Sequence, residues 1–227
     1  NYGATEQQCR AFFAELDQFH SDHYAGTQPV SPDMPFCGGL LGYLGYDVGK
    51  ALHNIPSPVA AVPFPAVQLC AYDWCIVQDH LLQRATLVSQ PRVGSAQRRD
   101  LLARLRQPAA RSATDFSLFS DFSSNCSPTQ YQTAFERIHG YIRAGDCYQV
   151  NLTFPMRARL VSGTPLGLYG AFRRTGAVGH GAYVDLGVGP IVVSRAPELF
   201  FKVEAERIVT RPMKGTRPRG KDAAEDA

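Results

Sequence analysis

The chain has 227 residues, enough for one large domain or two small ones. Its content, 44% hydrophobic and 19% charged, is that of a globular protein. The net charge of +3 is carried mostly by scattered arginines without interleaved aromatics, which argues against a nucleic-acid groove, and no apolar run approaches the roughly 18 residues of a membrane span.

The start, Asn1-Tyr2-Gly3-Ala4, has neither a basic n-region nor an apolar h-region, so no signal peptide is expected and a cytoplasmic location is. The six cysteines (Cys9, Cys37, Cys70, Cys75, Cys126, Cys147) show no C-x-x-C spacing and no paired histidines. Buried thiols in a reducing compartment are expected, and no zinc site.

In chain order, Thr5 and Gln8 have the spacing of a capping box, and Cys9, Phe12, Phe13, Leu16 and Phe19 recur on one helical face. A core-facing helix over 5–19 is predicted. After a proline-bearing loop comes Phe36-Cys37-Gly38-Gly39-Leu40-Leu41-Gly42-Tyr43-Leu44-Gly45-Tyr46-Asp47. This is no phosphate loop: Gly45 to Lys50 is one residue too short, and Ala51 has no hydroxyl for Mg²⁺. The G-x-G-x-x-G spacing is missing too. Glycines alternating with Leu and Tyr fit a strand approached closely by another backbone or a large side chain.

Residues 67–77 and 81–89 are β-rich runs joined at Gln78-Asp79-His80, a hairpin signal. Asp73 beside Trp74 reads as a hydrogen-bonded structural carboxylate. A short helix follows over 95–106, with Leu101, Leu102 and Leu105 apolar. Residues 108–126 lack periodicity and read as a connector, which divides the chain into 1–107, a connector, and 127–227.

Ser127-Pro128-Thr129-Gln130 is a helix start with Ser at N-cap, Pro at N1 and Gln at N3; Tyr131, Phe135, Ile138 and Ile142 form the expected buried stripe, and Gly145 ends the helix. Residues 146–154 alternate strictly, with Tyr148, Val150, Leu152 and Phe154 on one side and Cys147, Gln149, Asn151 and Thr153 on the other. The polar face suits a solvated sheet or a site that binds oxygens. Thr164-Pro165 opens another helix, and Gly176, Gly179 and Gly181 surround His180, which reads as structural. Strands are predicted over 182–186, 191–194, 199–203 and 207–213. The whole reads as α+β, helices packed on antiparallel sheet.

Lys214 stands in Arg211-Pro212-Met213-Lys214-Gly215-Thr216-Arg217-Pro218-Arg219. Pro212 has no N–H and stops the ladder; Gly215 lets the backbone turn or approach a ligand. The hairpin 199–213 turns near Ala205, so paired positions sum to about 410 and Glu198 lies opposite about Thr210–Met213. A carboxylate and an amine thus meet at one hairpin end. They form either a surface salt bridge or an acid and a nucleophile. A nucleophilic lysine must be neutral, which burial or neighbouring cations (Arg211, Arg217) would favour.

The segments G-G-L-L-G-Y-L-G-Y-D, G-D-C-Y-Q-V-N-L-T, A-P-E-L-F and R-P-M-K-G-T-R-P-R, in this order, resemble the chorismate-utilising enzymes of anthranilate synthase component I-like fold. Within that family, anthranilate, isochorismate and salicylate synthases usually carry Ala where this chain has Lys214, and the last two a lysine at the position of Gln149. The pattern here resembles the aminodeoxychorismate branch. The resemblance implies that Lys214 attacks C2 of chorismate as the C4 hydroxyl leaves, and that ammonia from a glutamine amidotransferase partner then attacks C4 and expels the lysine. Glu198 matches the acid that manages the C4-oxygen proton; Gly215 and Thr216 match substrate contacts. Mg²⁺ is the implied cofactor, with ligands outside this chain, so the fold is expected to be incomplete here and the fragment inactive alone. Residues 176–180 depart from the Asn- and Pro-rich segment that binds tryptophan in relatives. The competing readings are an anthranilate synthase and a non-catalytic binding module.

Overall fold

The glycine-rich stretch forms strand β1 (Gly39–Leu44), and its partner β2 (Val67–Tyr72) runs antiparallel in the register Gly42↔Leu69. The close backbone approach expected from the glycines is present: a Cβ on Gly42 would lie 1.9 Å from the carbonyl oxygen of Gln68. The structure is a computed structural model that describes residues 5–27, 31, 34–56, 64–108, 117–118, 121–176, 178–204, 206–213, 218 and 220–222. The chain divides into two compact units, Asn1–Ala110 with Ala182–Ser194 and Arg111–Gly181 with Arg195–Ala227.

In the first unit, helix α1 (Glu6–Tyr24) begins with the Thr5/Gln8 capping box. It runs about a turn past the expected end, because Ser21 and Asp22 do not break a helix, and buried Tyr24 anchors the extra turn. Cys9 is buried, Phe12, Phe13 and Leu16 are half-buried, and Phe19 at the rim is exposed. Helix α2 (Asp47–Leu52) replaces the end of the strand expected there. Val48 is buried, α2 packs on α1, and Lys50 pairs with Asp47 at 2.8 Å. This apolar anchor outweighs the low helix propensity of Gly49.

The run 67–77 is not one strand. It breaks at Asp73 into β2 and β3 (Trp74–Asp79), and β3 pairs with β4 (Arg84–Ser89) in a separate ladder. The break has a cause. Arg92 donates to Asp73 Oδ1 and to the carbonyl of His23, and Tyr24 Oη donates to Asp73 Oδ1 at 3.5 Å. Asp73 is thus the structural carboxylate expected, and the guanidinium hydrogen bond holds its carboxyl below the usual value. The β3–β4 turn falls at 80–83, later than expected: Asp79 Oδ1 accepts from the N–H groups of Leu81 and Leu82, each at 2.9 Å, so pairing continues to Asp79↔Arg84. Helix α3 (Ser95–Leu105) buries Leu101, while Leu102 and Leu105 are exposed.

In the second unit, the connector contributes two short strands, β5 (Ser117–Leu118) and β6 (Ser123–Ser124). They pair antiparallel with β8 (Leu160–Ser162) and β7 (Met156–Arg157) respectively. Helix α4 (Pro128–Ala144) has the expected capping box and ends at Gly145 in the left-handed region, φ 83°. Its stripe is not buried as expected: Tyr131, Phe135 and Ile142 are exposed. The alternating residues 146–154 do not form a strand, and Tyr148 is 94% exposed. One physical condition is unmet in both places. Among the described residues no strand pairs with 146–154, and an amphipathic pattern needs a second surface before it can bury its apolar side. The ring of Phe154 meets Tyr131 edge-on at 5.9 Å.

Helix α5 (Pro165–Arg174) starts at Thr164, whose hydroxyl accepts the N–H of Gly167. β9 (His180–Val184) and β10 (Val192–Ala196) are neighbouring strands, followed by β11 (Leu199–Glu204) and β12 (Arg207–Arg211). Every described register is antiparallel, so the fold class is α+β as the sequence indicates. All six cysteines are free thiols; Cys9 is buried and the other five half-buried. No helix among the described residues is long and apolar enough to cross a membrane.

Candidate active site

The β11–β12 ladder pairs Glu204↔Arg207, Val203↔Ile208 and Lys202↔Val209, then shifts before Leu199↔Arg211. The shift places Phe200 and Phe201 opposite Thr210 alone, one extra residue on β11, which is a β-bulge. Pairs near the turn therefore sum to 411 and the last pair sums to 410. The bulge moves Leu199 from facing position 212 to facing Arg211.

Beyond Arg211 the ladder cannot continue, because Pro212 has no N–H to donate. The next available donor is the N–H of Met213, and the Glu198 carboxylate takes it, with Oε1 to N at 3.4 Å. Glu198 thus stands at the end of the hairpin that the sum rule assigns it, against the residue directly before Lys214. Lys214, Gly215, Thr216 and Arg217 lie outside the described residues. Arg211 is exposed at the last pair of the ladder. Gln149 is exposed in the extended segment.

Two further contacts involve β10 and β11. Arg195, at the end of β10, donates through Nη2 to the carbonyls of Thr175 and Gly176, at 3.5 and 3.3 Å. These carbonyls close the C-terminal end of α5, where a cation is favoured by the helix dipole. At the turn end, Lys202 pairs with Glu204 and holds that carboxyl below its usual value, by a hydrogen bond first and by charge second. The pair is exposed and adds little to stability.

In the first unit a cavity of about 400 Å³ is lined by His23, Thr27, Cys37, Gln90 and Arg92 among others. Three of its polar side chains are already engaged: Gln90 Nε2 donates to the Cys37 carbonyl at 2.7 Å, Thr27 donates to Gln90 Oε1 at 3.1 Å, and Arg92 is held by Asp73. No three His, Cys, Asp or Glu side chains gather as a metal site among the described residues.

A family model described as "chorismate binding enzyme" matches residues 3–227. Aminodeoxychorismate synthase component 1 of Klebsiella aerogenes is 34% identical over 197 residues, which is 86% of this chain and 42% of that protein. Anthranilate synthase component 1 of Streptomyces coelicolor is 31% identical over 220 residues, 87% of this chain and 42% of that protein. The chain therefore spans less than half the length of these relatives. Among solved structures, anthranilate synthase component I from Streptococcus pneumoniae TIGR4 superposes with a TM-score of 0.70 at 24% identity, covering 85% of this chain and 46% of that one. The α+β fold is that of anthranilate synthase component I.

Proposed function

Because the chain belongs to the chorismate binding enzyme family, we propose that it carries the nucleophile and acid of an enzyme converting chorismate and ammonia to 4-amino-4-deoxychorismate. Overall identity does not separate this reaction from anthranilate formation, since an anthranilate synthase component 1 of Thermus thermophilus is also 34% identical. The choice rests on Lys at 214 and Gln at 149. The observation that carries it is the Glu198 carboxylate on the N–H of Met213, one residue before that lysine.

In the proposed reaction the neutral Lys214 amine forms a bond to C2 of chorismate. The ring double bond shifts and the C4–O bond breaks, with Glu198 delivering the proton that leaves with oxygen as water. Ammonia then bonds to C4, the double bond shifts back, and the Lys214 amine departs. Gly215 and Thr216 contact the substrate. A glutamine amidotransferase, as a separate chain or a fused domain, supplies ammonia, and the product feeds p-aminobenzoate and folate synthesis. Mg²⁺ is proposed as the metal of the full-length enzyme.

Intact-mass spectrometry of the full-length protein with chorismate and Mg²⁺ but no ammonia tests this reading. A chorismate-derived adduct mapped to Lys214 and missing in Lys214→Ala is the expected result. No adduct, with the variant converting chorismate at the wild-type rate, overturns it in favour of anthranilate-type chemistry.

A further inference from the structure

We infer that Glu198 is also a positioning residue: its side chain extends the β11–β12 ladder past Pro212 and holds the backbone that leads into Lys214. The inference rests on the reading of Lys214 as nucleophile. Proline at 212 ends main-chain pairing one residue too early to restrain Met213. The bulge at Phe200 and Phe201 shifts β11 by one residue, so Glu198 comes level with Pro212 and its side chain reaches on to the next residue. Its carboxylate then replaces the missing ladder bond by accepting from the Met213 N–H at 3.4 Å. The backbone of β12 is thereby held on both sides of the proline, by Leu199 pairing with Arg211 and by Glu198 bonding to Met213.

The two roles need different things of one side chain. Positioning needs only an acceptor oxygen, which a carboxylate, a protonated carboxyl and an amide all keep. Acid catalysis needs an ionisable proton. Reach separates them as well, because Asp keeps the proton but is one methylene shorter and cannot span to Met213. Glu198→Gln therefore keeps the clasp and loses the acid, and Glu198→Asp keeps the acid and loses the clasp.

The test uses both variants in the full-length chain. Residue-resolved amide exchange at Met213 reads the clasp, and the rate of adduct formation at Lys214, as a function of pH, reads the chemistry. In Glu198→Asp the Met213 amide exchanges about tenfold faster and the adduct forms about tenfold more slowly, with the alkaline limb of the pH profile retained. In Glu198→Gln the Met213 exchange stays within about twofold of wild type while the alkaline limb, which reports the loss of the protonated acid, disappears. Wild-type exchange in Glu198→Asp, or equal acceleration in both variants, overturns the inference. If wild type forms no adduct at Lys214, the nucleophile reading falls, and Met213 exchange still decides whether Glu198 holds the strand.

Discussion

Gly42 and Gln68 meet across the β1–β2 ladder so closely that a Cβ at position 42 would stand 1.9 Å from the Gln68 carbonyl oxygen. The obstruction is backbone and cannot swing aside. Gln68 in turn accepts from Tyr43 Oη at 3.1 Å and donates to the carbonyl of Val188, so a shift of its backbone disturbs several contacts. Gly42→Ala is expected to destabilise the full-length protein by about 2 kcal/mol or more, read as a fall in the urea midpoint. Gly49→Ala is the control. It sits in α2 with nothing within 4 Å of its Cβ, and should stabilise by about 0.5–1 kcal/mol.

Lys214→Ala should abolish the covalent adduct and lower aminodeoxychorismate formation by about a hundredfold or more, because the replacement has no nucleophile. Product identity by chromatography checks the branch. Anthranilate from the wild-type chain and glutamine amidotransferase would assign the other reaction.

Asp73 gives a pH dependence of definite sign. Its carboxyl lies below the ordinary aspartate value when folded, chiefly through the hydrogen bond from Arg92. A depressed folded value means a stabilisation that is complete above the unfolded value of about 3.9 and is lost as pH falls through the lower folded one. The effect is small, because the pair is substantially exposed. Thermal midpoints of wild type and Asp73→Asn should differ near neutrality, with wild type higher, and converge in acid. A constant difference down to about pH 2 would remove Asp73 as the source.

Arg195 holds the C-terminal end of α5, and Arg195→Met keeps much of its apolar bulk while deleting the donors. A loss of about 1 kcal/mol in the unfolding free energy is expected, with faster amide exchange in the last turn of α5. Unchanged exchange there would show that the two carbonyl contacts contribute nothing.

Much of this molecule is local and therefore legible in the linear chain. The capping boxes at Thr5/Gln8 and Ser127/Gln130, the stop at Gly145 and the turn near 205 depend on residues within a few positions of one another. The position of Glu198 followed from hairpin arithmetic and the missing N–H of Pro212. Tertiary structure alone decided the rest. It broke 67–77 at Asp73, because Arg92 and Tyr24 claim that carboxylate from distant positions. It folded Asp47–Leu52 into a helix by burying Val48. It left Tyr148 and most of the α4 stripe (Tyr131, Phe135 and Ile142) exposed, because periodicity encodes which side of an element is apolar but not whether a surface stands opposite to cover it.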